Sequence, residues 1–259
     1  MPDSAVSDLI AYSRRAFRGD PGAAFKEWYL LQDGLRSNAT AEACAKAMRL
    51  ADDLWDLSRS LVFPSEEERA RFFHNMAVFF GSPGPAASLP RSLEAFRVAL
   101  EVWDPDRHPD DHARALHNQG NALMNLGGTL EEAVAAMELF ERALFRRPEA
   151  TRAIARCVTL HHIGVLARKM AALERPRARR HLALSREALE QAVVLRRREG
   201  LREGAALSLF HLGLTLEAIG VGAEAARSLE ESAELYEALG RTGEAAVARE
   251  TAKRAAGSG

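Results

Sequence analysis

The chain has 259 residues, 47% of them apolar, and a formal net charge of −1, so it is long enough to bury a large core and reads as an ordinary soluble protein. Ala, Leu, Arg and Glu dominate while Tyr, Thr and Ile are scarce, which excludes a strand-rich fold and predicts an all-α one. No stretch of about 18 apolar residues occurs, so a membrane span is excluded and a cytoplasmic protein is expected.

The first residues, MPDSAVSDLIAYSRRAF, lack an apolar run of signal-peptide length. Residues 1–62 predict an N-terminal helical extension or degenerate repeat, with helices near 5–18, 22–35 and 40–61 broken at Gly19-Asp-Pro-Gly and Ser37-Asn-Ala-Thr. Cys44 and Cys157 lie far apart in helical segments, as reduced core residues do. Residues 63–259 then predict an array of about four helix pairs. Ser65, followed three residues later by Glu68, is a capping-box pattern that starts the first helix, and Gly81-Ser-Pro-Gly-Pro ends it. Further helices are predicted at about 88–103, 110–126, 129–146, 149–172, 177–199, 202–219 and 222–239. A last helix near 242–255 sets Ala245, Ala246 and Ala248 against Arg249, Glu250, Lys253 and Arg254, a polar face suited to capping a stack.

An internal repeat organises this region. Phe73-His-Asn-Met-Ala77, Leu116-His-Asn-Gln-Gly120, His161-His-Ile-Gly164 and Phe210-His-Leu-Gly213 superimpose with Ala77, Gly120, Gly164 and Gly213 in register. These lie on the first, or A, helix of each pair. On the B helices Phe96 and Ala99 match Phe140 and Ala143. Independently, LEQAVVLRRREGLREGAA (189–206) matches LEESAELYEALGRTGEAA (229–246), pairing Leu195 with Leu235 and Gly200 with Gly240. The small register residue lets helix A approach helix B closely. Phe96, Phe140 and Leu229 then fill the space between successive hairpins.

Asn118-Gln-Gly-Asn-Ala-Leu123, followed by Ala136, Phe140, Ala143 and Pro148, resembles the tetratricopeptide repeat. The resemblance covers roughly residues 66–250, and around LPRSLEAFRVALEVWDPDRHPDDHARALHNQGNAL it is similar to the long variant in bacterial proteins carrying caspase-like CHAT protease domains. Relative to the family's spacing there is about one extra turn between Gly120 and Ala136 and about three between Gly164 and Ala188, so the third pair should be long. The fold this implies is a right-handed superhelical solenoid of tetratricopeptide-like antiparallel helix pairs. The function it implies is a non-catalytic scaffold or adaptor for a protein or peptide, in a bacterial signalling or defence assembly.

In that family the A helices line a concave groove, with ligand-facing positions two before, three before and one after the register residue. The resemblance therefore assigns His74, Asn75, His117, Asn118, Asn121, His161, His162 and His211 to a partner-binding groove. Arg71 and Arg114, six before the register, add guanidinium groups suited to gripping a carboxylate beside Asn75 and Asn118. The same His and Asn residues equally suit hydrogen bonds between neighbouring A helices, and the sequence leaves both readings open.

Residues 146–202 hold fifteen Arg and Lys against five Asp and Glu, concentrated at Arg175, Arg177, Arg179 and Arg180 and at Arg196, Arg197 and Arg198. This stretch is either a solvated face with carboxylates on adjacent turns or a patch for an acidic partner. A nucleic-acid-binding regulator is an alternative, which the scarcity of interleaved aromatics argues against. A metal-dependent enzyme built on His108 and His112 is another, although Asp110 or Asp111 in His108-Pro-Asp-Asp-His112 is more simply a helix cap. The sequence has no phosphate loop, His-Glu-x-x-His or nucleophile elbow, so no enzyme, cofactor or bound metal is expected.

Overall fold

A computed structural model describes residues 55–56, 58, 63, 65–82, 87–145 and 153–257. The predicted helices near 5–18 and 22–35, most of the one at 40–61, the boundary at residue 62, and residues 149–152 of a further helix lie outside them. The described residues contain α-helices, one short 3₁₀ turn and no strand. In order, the helices are α1 (Glu66–Gly81), α2 (Leu89–Val102), α3 (Pro109–Leu126), α4 (Leu130–Phe145), α5 (Ala153–Leu173), α6 (Ala178–Arg198), α7 (Arg202–Ile219), α8 (Gly222–Ala238) and α9 (Thr242–Ala256). The chain divides into two compact units between Leu126 and Gly127.

In the first unit α1 packs on α2, and both pack on α3. The entry of α1 follows the capping rule: the Glu68 N–H donates to Ser65 Oγ at 3.2 Å, with Ser65 itself extended. The core is aromatic. Trp55 meets Phe73 and Phe80 edge-on, with centroids 6.2 and 5.8 Å apart, and Phe96 and Trp103 are fully buried beside them. Ser92 of α2 donates to the Ala77 carbonyl at 2.8 Å, a bond that the small register side chain leaves room for. Gly81 is buried as well as terminal: a Cβ there would lie 2.6 Å from Ala122 Cβ.

In the second unit each helix packs chiefly on the next one along the chain, from α4 to α9. Thr129 and Glu132 form a reciprocal capping box before α4, because the Glu132 N–H donates to Thr129 Oγ1 at 3.1 Å and Glu132 Oε2 accepts from the Thr129 N–H at 2.9 Å. α5 and α6 each span 21 residues, the long pair expected from the spacing. Gly164 lies against α6, where a Cβ would come within 2.5 Å of Leu189 Cγ and 3.1 Å of the Ser185 carbonyl. Gly213 repeats this against Leu229 Cγ at 2.4 Å. Gly200 and Gly240, matched in the second register, have φ of 70° and 74°. That left-handed turn lets the Leu201 and Arg241 N–H groups close back on the carbonyls of Arg196 and Tyr236, both at 2.8 Å.

Because Leu229 is fully buried, its crowding by a new side chain has little relief. Gly213→Val is expected to lower stability by about 2 kcal/mol, net of the better helix propensity. Urea unfolding checks this: an unshifted midpoint would remove the close approach, and adding Leu229→Ala should restore part of the loss.

On α9 the buried face is Ala245, Ala248, Thr251, Ala252 and Ala255. Ala246, read as part of that face, is exposed because it falls one residue, about 100°, around the helix from Ala245. Arg249 reaches Glu237 and Arg254 reaches Glu217, which ties the polar face back to α8 and α7. No helix among the described residues is long and apolar enough to cross a membrane.

Candidate binding faces on the A helices

In the first unit the A helices are α1 and α3. α3 carries Arg114, Asn118, Asn121 and Asn125, spaced three or four residues apart and so aligned on one face. Asn118 Nδ2 donates to His74 Nε2 at 3.0 Å, and His74 Nδ1 donates to Asn75 Oδ1 at 3.2 Å. This chain suits the neutral Nδ1–H tautomer. Burial, assisted by the positive charge of Arg114, pulls the His74 pKa down to about 4. His74 and His117 are buried, whereas Asn75, Asn118 and Asn121 remain half-exposed. The two imidazoles thus belong to the packing, and the three amides are what this face offers. Asn121 accepts from Asn125 at 3.3 Å.

Arg71 and Arg114 are exposed but occupied. Arg71 binds Glu68 at 3.2 Å and Glu67 at 3.6 Å; Arg114 pairs with Asp111 and lies over the Trp103 ring, 5.3 Å from its centroid. Each finds its carboxylate three or four residues back on its own helix.

In the second unit the A helices α5 and α7 bring three imidazoles together. The His161 ring lies 5.5 Å from His162 and 5.3 Å from His211, and His162 stacks on Phe140 at 5.7 Å. His161 is buried, with Nδ1 3.0 Å from Ser208 Oγ, so it too serves the contact between helices. His162 and His211 are half-exposed. Burial is the main cause that lowers all three pKa values, to about 2 for His161 and about 4 for His162 and His211; Arg196 reinforces each, and Arg168 acts on His211. Arg168 was not among the residues singled out from the sequence. It sits seven residues after His161, two helical turns along the same face.

The basic stretch is not one surface. Arg175, Arg177, Arg179 and Arg180 are exposed, and Arg177 binds Glu174 at 3.0 Å. Arg177 and Arg180, with His181, Glu141 and Glu174, rim a pocket of about 400 Å³ whose apolar lining is Val134, Met137, Met170 and Leu184. Arg197 pairs with Glu231 and Arg198 with Glu199, as a solvated face does. Arg196 departs from the patch altogether. It is only 5% exposed, and its Nη1 donates to the Gly204 carbonyl at 2.6 Å and to Ser208 Oγ at 2.7 Å.

His108 and His112 turn to different partners. His112 Nδ1 donates to the Trp103 carbonyl at 2.7 Å from a buried position, while His108 Nε2 faces Glu67 at 3.5 Å. Among the described residues no three His, Cys, Asp or Glu side chains converge as a metal site would require. Asp110 and Asp111 lie inside the first turn of α3, after Pro109, so they meet the positive end of the helix dipole instead of capping it.

No protein-family profile matches the chain, and no curated protein does either. The crystal structure of BtubC (BKLC) from P. vanneervenii is similar in fold, with a TM-score of 0.66 at 16% sequence identity. That match covers 92% of this chain and 90% of the other.

Proposed function

We propose that the chain is a tetratricopeptide-like interaction module, a non-catalytic adaptor that binds a protein or peptide partner along the exposed faces of its A helices. The observation that supports this most is the row of half-exposed amides on α3 and α1. Asn75 and Asn118 are held in place through the buried His74, and Asn121 through Asn125. Amides fixed in this way present both donors and acceptors, the chemistry of an extended peptide backbone, and their ordering entropy is already spent. The helical hairpins behind them supply a rigid support. A role in a bacterial signalling or defence assembly belongs to the same proposal and rests on the sequence resemblance alone, whereas the cytoplasmic location proposed with it rests on the apolar pattern and cysteine placement of the sequence.

Replacing Asn75 and Asn118 is a poor test, since both bond to a buried imidazole and their loss unsettles the core. Asn121→Arg instead places a bulky cation on the face without touching His74. Peptides selected from a displayed random library on the immobilised full chain are expected to bind this variant at least tenfold more weakly than wild type. Glu138→Arg, on the exposed side of α4, should bind them normally. Equal binding by Asn121→Arg and wild type would remove the face from the proposal.

A further inference from the structure

The B helices of the second unit are joined differently on the two sides of α6. Across α7, Arg186 and Arg197 of α6 reach Glu224 and Glu231 of α8, so ion pairs bridge that gap. Across α5, no ion pair joins α6 to α4 among the described residues, and the pocket of about 400 Å³ lies between them. One wall carries Val134, Met137 and Glu141 of α4, spaced three and four residues apart and so on one helix face. The other runs through Arg177, Arg180 and Leu184, from the turn before α6 into that helix. Each wall spans seven residues, about 10 Å of helix. Buried Met170 of α5 closes the pocket from within, while Val134, 40% exposed, marks its open side. The charges on the rim are unequally used. Glu174 is taken by Arg177 at 3.0 Å and by His181 at 2.8 Å, whereas Glu141 and Arg180 are exposed and make no ion pair among the described residues. A free carboxylate on one wall therefore faces a free guanidinium on the other, with apolar surface between.

We propose that this pocket docks an amphipathic helix of a protein partner, whose apolar stripe enters between α4 and α6 with an acidic side chain on the Arg180 flank and a basic one on the Glu141 flank. The site lies on the B helices and does not rest on the amide face of α1 and α3. Its shape selects a helix. Anchors at i, i+3, i+4 and i+7 fall within two turns, the same length as the two walls. A small molecule would stay wetted on the open side, where a helix seats its own backbone and seals the apolar lining. The lining is methionine and branched aliphatic, a soft surface that adapts to Leu, Ile or Met anchors. The opposite free charges on the two walls fix which flank of the helix goes where, because the reversed arrangement sets like charges together.

The test selects helices on the immobilised full chain from a library displayed on a rigid helical scaffold. Its stripe positions vary among Leu, Ile, Met and Phe, and its flanking positions among Glu, Lys and Gln. The enriched helices are expected to carry Glu on one flank and Lys on the other. Val134→Glu, which sets a charge at the open side, should bind them at least tenfold more weakly, and Glu234→Lys on the exposed side of α8 should bind them normally. The double variant Arg180→Glu with Glu141→Lys should lose at least tenfold as well, and recover binding to the same helices with Glu and Lys interchanged. Both of those positions are exposed, so the charge swap decides the matter even if Val134→Glu unfolds the chain. The proposal is overturned if no helix is enriched, if the enriched ones show no charge preference, if the folded Val134→Glu chain binds them as wild type does, or if the swapped chain fails to recover the interchanged helices. A wild-type dimer in sedimentation that Val134→Glu dissolves would overturn it too, by making a second copy the occupant.

Discussion

Lowering the pH from 7 to 4.5 is expected to remove about 2.5 kcal/mol of stability for each of two buried histidines, His74 and His161. Their folded pKa values lie near 4 and 2 against an ordinary 6.5, because burial disfavours the imidazolium. Between pH 6.5 and the folded value the unfolded chain binds a proton that the folded chain does not, so stability falls as pH falls through this window. It is fully present above pH 6.5. His162 and His211, each near 4, act in the same direction with less weight because they are partly open to water. Urea midpoints across pH 7 to 4.5 read the effect, most cleanly above about pH 5.5, where ordinary carboxylates stay ionised. His161→Gln, which keeps a polar group for Ser208, should flatten the slope by about one proton. A midpoint independent of pH over that range would show that the imidazoles are not enclosed.

Arg196→Glu is expected to lower stability by about 3–5 kcal/mol, whereas Arg197→Glu and Arg198→Glu should each change it by less than about 1 kcal/mol. Arg196 threads into the contact between α6 and α7, above Cys157, and gives its protons to Gly204 and Ser208. A carboxylate there would face a carbonyl oxygen with no cation beside it. The neighbouring arginines end in water on Glu231 and Glu199. Comparing the three urea midpoints decides the matter, and similar small shifts for all three would return Arg196 to the surface.

The repeat carried only a partial signal for Arg196. The shift that matches Leu195 with Leu235 sets Arg196 on the aromatic Tyr236, and the structure buries both positions, Tyr236 being 6% exposed. Charge counting grouped three adjacent arginines, but on a helix neighbours point about 100° apart.

The sequence by itself determined the helical class, the helix ends to within a few residues over the described chain, and the register of small residues. Each of these follows from short-range periodicity and propensity, which act within a few turns. Gly164 and Gly213 announced close contacts, and Leu189 and Leu229 proved to be what they touch. Only the tertiary structure decided which polar side chains the packing consumes. His74, His117 and His161 share a motif position and are all buried, yet whether Asn118 or Ser208 arrives to meet them depends on the neighbouring helix. A hydrogen bond between residues 44 or 47 apart is invisible to local pattern, and that distance in sequence is what separates a binding group from a structural one.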